Sequence, residues 1–245
     1  MGEQFLFQES MNNPLILDKN QQASGKVREY SVSICDRKEI ADFVEFWHYS
    51  GNVNGLTTDY CFKLTDTAGN IIGAMIYGKI AMAGVWKKYA DRENDLIELK
   101  RLCCIDKTPK NTESYFIGNT LRWLRKNTDI RIVISYADTT YLHEGTIYKA
   151  SNFVHSGMTA KGRIIIYNGK RYHDKTIRTR HKGKLKAFAS EIKTALQNGK
   201  AHYVNTSGKH IYLYQLKSGS KTPEIMVKSE ELSLFTSEAG LSLQD

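Results

Sequence analysis

Asp138 closes the apolar run IVISYAD, and Tyr148 follows it on a short segment opened by Gly145. An Asp at the carboxyl end of a buried strand either shapes the next turn or faces a ligand, because open α/β sheets bind ligands at those ends. A Tyr just beyond such a strand either packs in the core or presents its hydroxyl as a proton donor. His48 ends an amphipathic segment just before Gly51. Its ring is either structural or free to enter a cleft. Arg101 lies inside an apolar run, and a buried guanidinium requires an anion. Glu98 is an odd number of positions away, so the two start on opposite strand faces, which favours a bound phosphate over a direct pair. The Thr108–Ser114 loop opens a helix. Asn111 or Thr112 is expected to cap it. Ser114 stands in its first turn, where free N–H groups suit a phosphate or pyrophosphate as well as ordinary capping.

A second kind of chemistry is electrostatic. Residues 161–186 are dense in Lys and Arg, with Asp174 the one carboxylate, and Tyr167, Tyr172, His173 and His181 are interleaved. Cations neutralise phosphates, and aromatic rings stack on unpaired bases. Arg163, Lys170, Arg171, Arg178, Arg180 and Lys182 are therefore the expected nucleic-acid contacts. The plainer alternative is a solvated cationic face.

The elements that position these groups follow from spacing. Leu96–Asp106 and Thr128–Asp138 are dense in Ile, Val and Leu, as buried strands are, and Tyr115–Asn127 between them is amphipathic. Together they predict a βαβ crossover, which is right-handed almost without exception. Asp138 and Tyr148 are then expected to line one pocket where the two strands run out. Upstream, Tyr30, Val32 and Ile34 alternate as in a half-buried strand. Asp36 and Glu39 form a capping-box pattern, and Ile40, Phe43, Val44 and Trp47 make one helix face. Asp59–Leu64 and Ile71–Tyr77 read as a hairpin around the turn Asp66–Asn70. Downstream, Ile164–Tyr167 and Lys170–His173 flank Asn168-Gly169, which suits a type I′ turn. A helix over Leu185–Leu196 follows, and Tyr203 with Ile211–Leu216 suggests a closing strand pair. The order β-α-β-β-β-α-β-α-β-β is that of the GNAT acyltransferase fold. The expected class is α/β (α+β), a GNAT-like mixed central sheet flanked by helices with a basic C-terminal extension.

Composition bounds the rest. The chain has 245 residues, 41% of them hydrophobic, enough for one core. The expected organisation is a flexible arm over 1–26 with a short strand at Phe5–Phe7, one domain over 27–216, and a polar, acidic tail over 217–245. The formal charge of +9 and an isoelectric point near 9.2 point to a polyanionic partner. Cys35, Cys61, Cys103 and Cys104 form no C-x-x-C pair and are expected to be reduced thiols of a cytoplasmic protein. No signal peptide or membrane-length apolar run is evident, so no membrane partner is expected.

WHYSG at Trp47–Gly51, ELKRL at Glu98–Leu102, PKNTES at Pro109–Ser114 and SYADTTYLHEGTIYKASNF at Ser135–Phe153 resemble the phage Mom proteins. That family modifies adenine in phage DNA so that host restriction enzymes cannot cut it. The resemblance covers about Tyr30 to Tyr214. It implies a GNAT-like fold and an N6-carbamoylmethyl adenine product. It also implies functional positions at His48, Tyr49, Arg101, Ser114, Asp138 and Tyr148. In that reading Asp138 or His48 removes the amino proton and Tyr148 protonates the leaving group. Arg101, Asn111 and Ser114 hold the donor, and His48 and Asp138 can ligate a metal ion such as iron. The glycine-rich pyrophosphate loop of GNAT enzymes is replaced here by KTPKNTES. That replacement argues against an acyl-CoA held in the usual GNAT pose; the donor is expected to be an acyl-CoA or an aminoacylated carrier, and the expected partner is DNA in the host cytoplasm. The alternatives are a GNAT N-acetyltransferase of a protein or small amine, and a non-catalytic nucleic-acid-binding module.

Overall fold

A computed structural model describes residues 15–51, 53–141 and 144–218. The strand expected at Phe5–Phe7, and all but the first two residues of the expected tail, lie outside the described residues. The strands are β1 (Ser31–Cys35), β2 (Tyr60–Thr65), β3 (Ile71–Gly78), β4 (Leu96–Cys104), β5 (Ile132–Asp138), β6 (Val154–Met158), β7 (Gly162–Tyr167), β8 (Lys170–His173), β9 (Ala201–Thr206) and β10 (Lys209–Gln215). The α-helices are α1 (Arg37–Trp47), α2 (Thr112–Asn127), α3 (Thr146–Lys149) and α4 (Ala187–Gln197). The class is α+β, a mixed sheet flanked by helices. The order from β1 to α3 is the one the sequence predicts.

The chain groups into two compact units. Unit 1 takes the described residues of Met1–Ser135, Ile147–Val154 and Leu213–Asp245; unit 2 takes those of Tyr136–Thr146 and His155–Tyr212.

In unit 1, β1, β2, β3 and β4 pair antiparallel in succession, and β5 runs parallel to β4 from Leu96↔Ile132 to Leu99↔Ser135. The Leu216 N–H donates to the Arg131 carbonyl at 2.7 Å, which fixes the end of β10 beside the start of β5. Helix α1 begins where predicted: the Asp36 N–H donates to the Glu39 carboxylate at 2.8 Å. Ile40, Phe43 and Val44 of α1 and Phe116, Ile117 and Leu124 of α2 are fully buried, with Phe62, Met75 and Tyr77 of the sheet. The Tyr77 hydroxyl lies 2.8 Å from Thr120 Oγ1, so this buried polar pair is satisfied. The Asp66 turn also ties down the upstream segment. Its carboxylate accepts from the Ser24 N–H at 2.9 Å, and the Gln21 side chain donates to the Ile71 carbonyl at 3.2 Å. Residues 15–26, read from composition as part of an arm, therefore carry fixed contacts at Gln21 and Ser24.

Unit 2 holds a three-stranded sheet in the order β8-β7-β9. Asn168 and Gly169 have φ of 48° and 71°, the left-handed geometry that the predicted type I′ turn requires. Ile165, Ile192, Ala195 and Ala201 form its core between the sheet and α4. Two features depart from expectation. The region of Tyr203 does not close against Ile211–Leu216: β9 pairs with β7, and β10 stands between β5 and β6 in the larger sheet. Strand β6 carries no sequence signal, because VHSGM lacks alternation and Gly157 sits at φ 103°.

Candidate functional site

In unit 1 the turn after α1 gathers His48, Tyr49 and Ser50. The His48 N–H ends the helix by donating to Val44, and the Gly51 N–H donates back to His48 at 2.8 Å. Gly51 takes φ 52°, which explains the stop residue. His48 is buried, whereas Tyr49 is 43% exposed, and their rings lie 4.2 Å apart. The Ser50 N–H donates to His48 Nδ1 at 3.1 Å, and the Ser50 hydroxyl lies 2.8 Å from the same nitrogen. With Nδ1 accepting, the proton of the neutral ring belongs on Nε2. Ser50 was not singled out from the sequence. Its signal was the hydroxyl two positions after a His at a helix stop.

Arg101 joins this group. Burial lowers its pKa, while Tyr49, Glu98 and Cys103 lie within electrostatic reach and oppose that shift. Its guanidinium donates to the Lys100 carbonyl at 2.7 Å. Glu98 is salt-bridged to the buried Lys100 at 3.4 Å. A bulge opposite Ile76 and Tyr77 breaks the alternation of β4 between Leu99 and Arg101, so Glu98 faces the charge of Arg101 as well as that of Lys100, against the expectation of opposite faces.

The opening of α2 differs from the expected cap. Asn111 occupies the cap position at φ 71°, and its side chain makes no capping bond. Thr112 Oγ1 instead donates to the Pro109 carbonyl at 2.6 Å, and the Ser114 hydroxyl donates to the Asn111 carbonyl at 3.1 Å. A groove of about 610 Å³ runs along α2 from Lys110, Asn111 and Ser114 past Gly118 to Arg122 and Arg125. Its other wall is Val27, Arg28, Ala150–Asn152 and Tyr214. The charged groups lining it are Arg28, Lys110, Arg122 and Arg125, with no carboxylate among them. A β-carbon at Gly118 would meet nothing within 4 Å, so this position leaves the groove floor open. Asn111 and Ser114 line the groove; Arg101 does not.

Tyr148 reaches this wall through ring contacts. It lies 5.5 Å from the buried Phe153, which lies 5.2 Å from Tyr214, and the Tyr214 hydroxyl accepts from Arg125 at 3.2 Å. Arg28 and Tyr214 carried no sequence signal, since each is remote from α2 along the chain.

Asp138 belongs to unit 2, whereas Tyr148 belongs to unit 1. The Asp138 carboxylate accepts from the Thr140 N–H at 3.0 Å and lies 3.1 Å from the Lys209 ammonium. Burial pushes its pKa up, but the Thr140 hydrogen bond and Lys209 outweigh burial and hold it below the ordinary value. Also in unit 2, His155 Nε2 on β6 lies 3.0 Å from His210 Nδ1 on β10.

The expected metal pair is not supported. Among the described residues, no three His, Cys, Asp or Glu side chains are grouped to hold a metal ion. Nδ1 of His48 is taken up by Ser50, and each Asp138 oxygen by Thr140 or Lys209. Iron sites draw several such donors together, so no step is assigned to a metal.

The basic residues of unit 2 divide. The Asp174 carboxylate lies 2.6 Å from the Arg178 guanidinium and 3.5 Å from Arg163, and Arg163 also stacks 4.1 Å above the Tyr203 ring. Lys170, Arg171, Arg180 and Lys182 are exposed. No helix among the described residues is long and apolar enough to cross a membrane.

Fold and site together describe an α+β protein with a cation-lined groove along a central helix and a basic second unit. Residues 29–232 match the profile of the Mom protein family, and the chain belongs to that family. No curated protein matches the chain. Among solved structures, a variant of spermidine N-acetyltransferase from Vibrio cholerae is 8% identical over 77% of this chain and 95% of its own, with a TM-score of 0.46. A Bacillus subtilis acetyltransferase in complex with CoA is 10% identical over 77% of this chain and 99% of its own, with a TM-score of 0.44. Similarities of that size say nothing about what this chain binds.

Proposed function

We propose that this chain is a transferase that alters the N6 amino group of adenine in DNA, of the carbamoylmethylating kind, and so shields phage DNA from host restriction enzymes. Family membership supports the reaction class. The observation that carries the proposal is the groove along α2, which opens at the helix start beside Lys110, Asn111 and Ser114 and whose four charged lining residues, reaching to Arg125 in the last turn, are all cations. Helix N-termini and Arg or Lys side chains both favour phosphate oxygens. The groove therefore suits the phosphates of an acyl-CoA or of an aminoacylated carrier, held by Ser114, Asn111, Arg122 and Arg125. A bond forms between N6 and a carbon of the transferred group, the methylene carbon in a carbamoylmethyl product, as that carbon's bond to the donor breaks; the electron pair leaves with the donor and the amino proton passes to solvent.

The remaining roles belong to side chains of the protein. Adenine N6 is a poor nucleophile inside a base stack, and freeing it costs a few kcal/mol. His48, its ring fixed by Ser50 with the proton on Nε2, donates a hydrogen bond to the transferred group. The Tyr148 hydroxyl protonates the leaving group. Arg101, beside Tyr49, places positive charge where oxygen gains electrons. The partners in this reading are DNA and the donor.

The test is restriction. DNA from cells expressing the chain is expected to resist endonucleases whose sites contain adenine, and DNA from cells expressing Ser114→Ala together with His48→Gln is expected to be cut. Full cutting of both, with both proteins folded, would contradict the proposal.

A further inference from the structure

In unit 2 the segment between the Arg178 ion pair and α4 forms a closed tip. The His181 N–H donates to the Lys184 carbonyl at 2.8 Å, and the Lys184 N–H returns to His181 at 3.1 Å. Between them Lys182 and Gly183 take φ of 48° and 77°, the left-handed pair of a type I′ turn. The Arg180 guanidinium donates to the Gly183 carbonyl at 3.2 Å, which ties its stem to the turn. At the base, the Arg178 and Thr179 N–H groups both donate to the Lys175 carbonyl at 2.9 Å.

The charge pattern is one-sided. Arg180, Lys182, Lys184 and Lys186 stand at every second position, and no Asp or Glu occurs between Asp174 and Glu191. Residues 178–184 are exposed. No Phe, Tyr or Trp occurs between Tyr172 and Phe188, so the tip offers no large ring for stacking on unpaired bases. Arg163 and Arg178, by contrast, are committed to the buried Asp174.

We propose that the His181–Lys184 turn is a preformed cationic tip that docks on the phosphate backbone of duplex DNA, while Arg163 and Arg178 fix its base and do not touch DNA. The proposal deepens the DNA reading above and rests on it. A closed turn loses little conformational freedom on binding, so its charge is used more efficiently than that of a loose basic stretch.

The experiment is a salt titration of the full chain binding a labelled DNA duplex, followed by fluorescence anisotropy. Each lost phosphate contact lowers the slope of log affinity against log salt by about 0.9. Replacing Arg180, Lys182 and Lys184 together with Ala is expected to flatten the slope by about 2 to 3 and weaken binding at least tenfold. Gly183→Val keeps every charge, and a β-carbon at Gly183 meets nothing within 4 Å. Its strain is confined to the positive φ, and weakened binding by this variant shows that the turn itself matters. Arg163→Ala is expected to leave the slope unchanged.

An unchanged slope in the triple variant, with its circular dichroism intact, overturns the proposal. So does a loss in Arg163→Ala as large as that of the triple variant. Tight, salt-sensitive duplex binding by a protein that leaves adenine unaltered would defeat the transferase reading and leave the tip standing. Adenine modification together with an unmoved slope in the triple variant would do the reverse.

Discussion

The Lys209 ammonium lies 3.1 Å from an Asp138 carboxylate oxygen, joining the start of β10 to the end of β5. Asp138 titrates below its ordinary value even though burial acts to raise it, because Thr140 and Lys209 together outweigh burial. A carboxyl with a depressed folded pKa contributes stability above the ordinary carboxylate range, and that stability is lost as pH falls through the lowered value. Lys209→Met removes one compensating group and leaves the burial. The Asp138 pKa is then expected to move upward, and the acid limb of the stability curve to move to higher pH with it. Carboxyl-detected NMR titration measures this. A carboxyl that titrates unchanged in the variant would show that Lys209 does not set its charge.

Arg125 serves the groove twice, as one of its cations and as donor to the Tyr214 hydroxyl. Arg125→Ala is expected to weaken the binding of coenzyme A or inorganic pyrophosphate about tenfold, the scale of one charge-assisted hydrogen bond. Isothermal titration reads the change. Equal affinity in the variant would mean that the phosphates sit elsewhere.

His48 and Ser50 act as a unit in the proposed hydrogen bonding of the transferred group. Loss of one preorganised donor costs about 100- to 1,000-fold in kcat. His48→Gln is expected to fall in that range. Ser50→Ala, which retains the backbone N–H contact and loses the hydroxyl, is expected to lose less and to lose it in kcat and not in KM. A Ser50→Ala enzyme with wild-type kcat would reduce Ser50 to a turn residue.

All four cysteines are free, and burial dominates their chemistry. It pushes the Cys35 thiol up to about 12, Cys61 to about 11 and Cys103 to about 12, and raises Cys104 well above the ordinary value. Thiolate is the reactive form, so native protein at neutral pH is expected to react with a thiol reagent far more slowly than unfolded protein. Rapid labelling of any cysteine in the native state would contradict this burial.

The local chemistry of the chain was legible where one short segment decides it. Asp36 with Glu39 marked the start of α1, Asn168-Gly169 marked the β7–β8 turn, and the Ile- and Val-rich runs marked β4 and β5. What escaped was pairing between distant segments. Nothing in VHSGM distinguishes β6 from a loop, and nothing near Tyr203 says that β9 pairs with β7 and not with β10. The site shows the same division. His48 and Ser114 stood out beside local stop and start signals. Lys209 on Asp138, Tyr214 on Arg125 and Asp174 between two arginines depend on chain returns that spacing does not encode. Gly145 is a mixed case. It was legible as a helix opener, but its need for φ 74° and the Tyr212 ring that a β-carbon would strike at 2.2 Å were not.

Mass spectrometry of nucleosides from the DNA of cells expressing the intact chain tests the central claim most directly. The account predicts a new deoxyadenosine derivative, heavier by one carbamoylmethyl group, that disappears when Ser114→Ala and His48→Gln are combined. Deoxyadenosine that stays entirely unmodified, in cells that hold the folded protein, would contradict it.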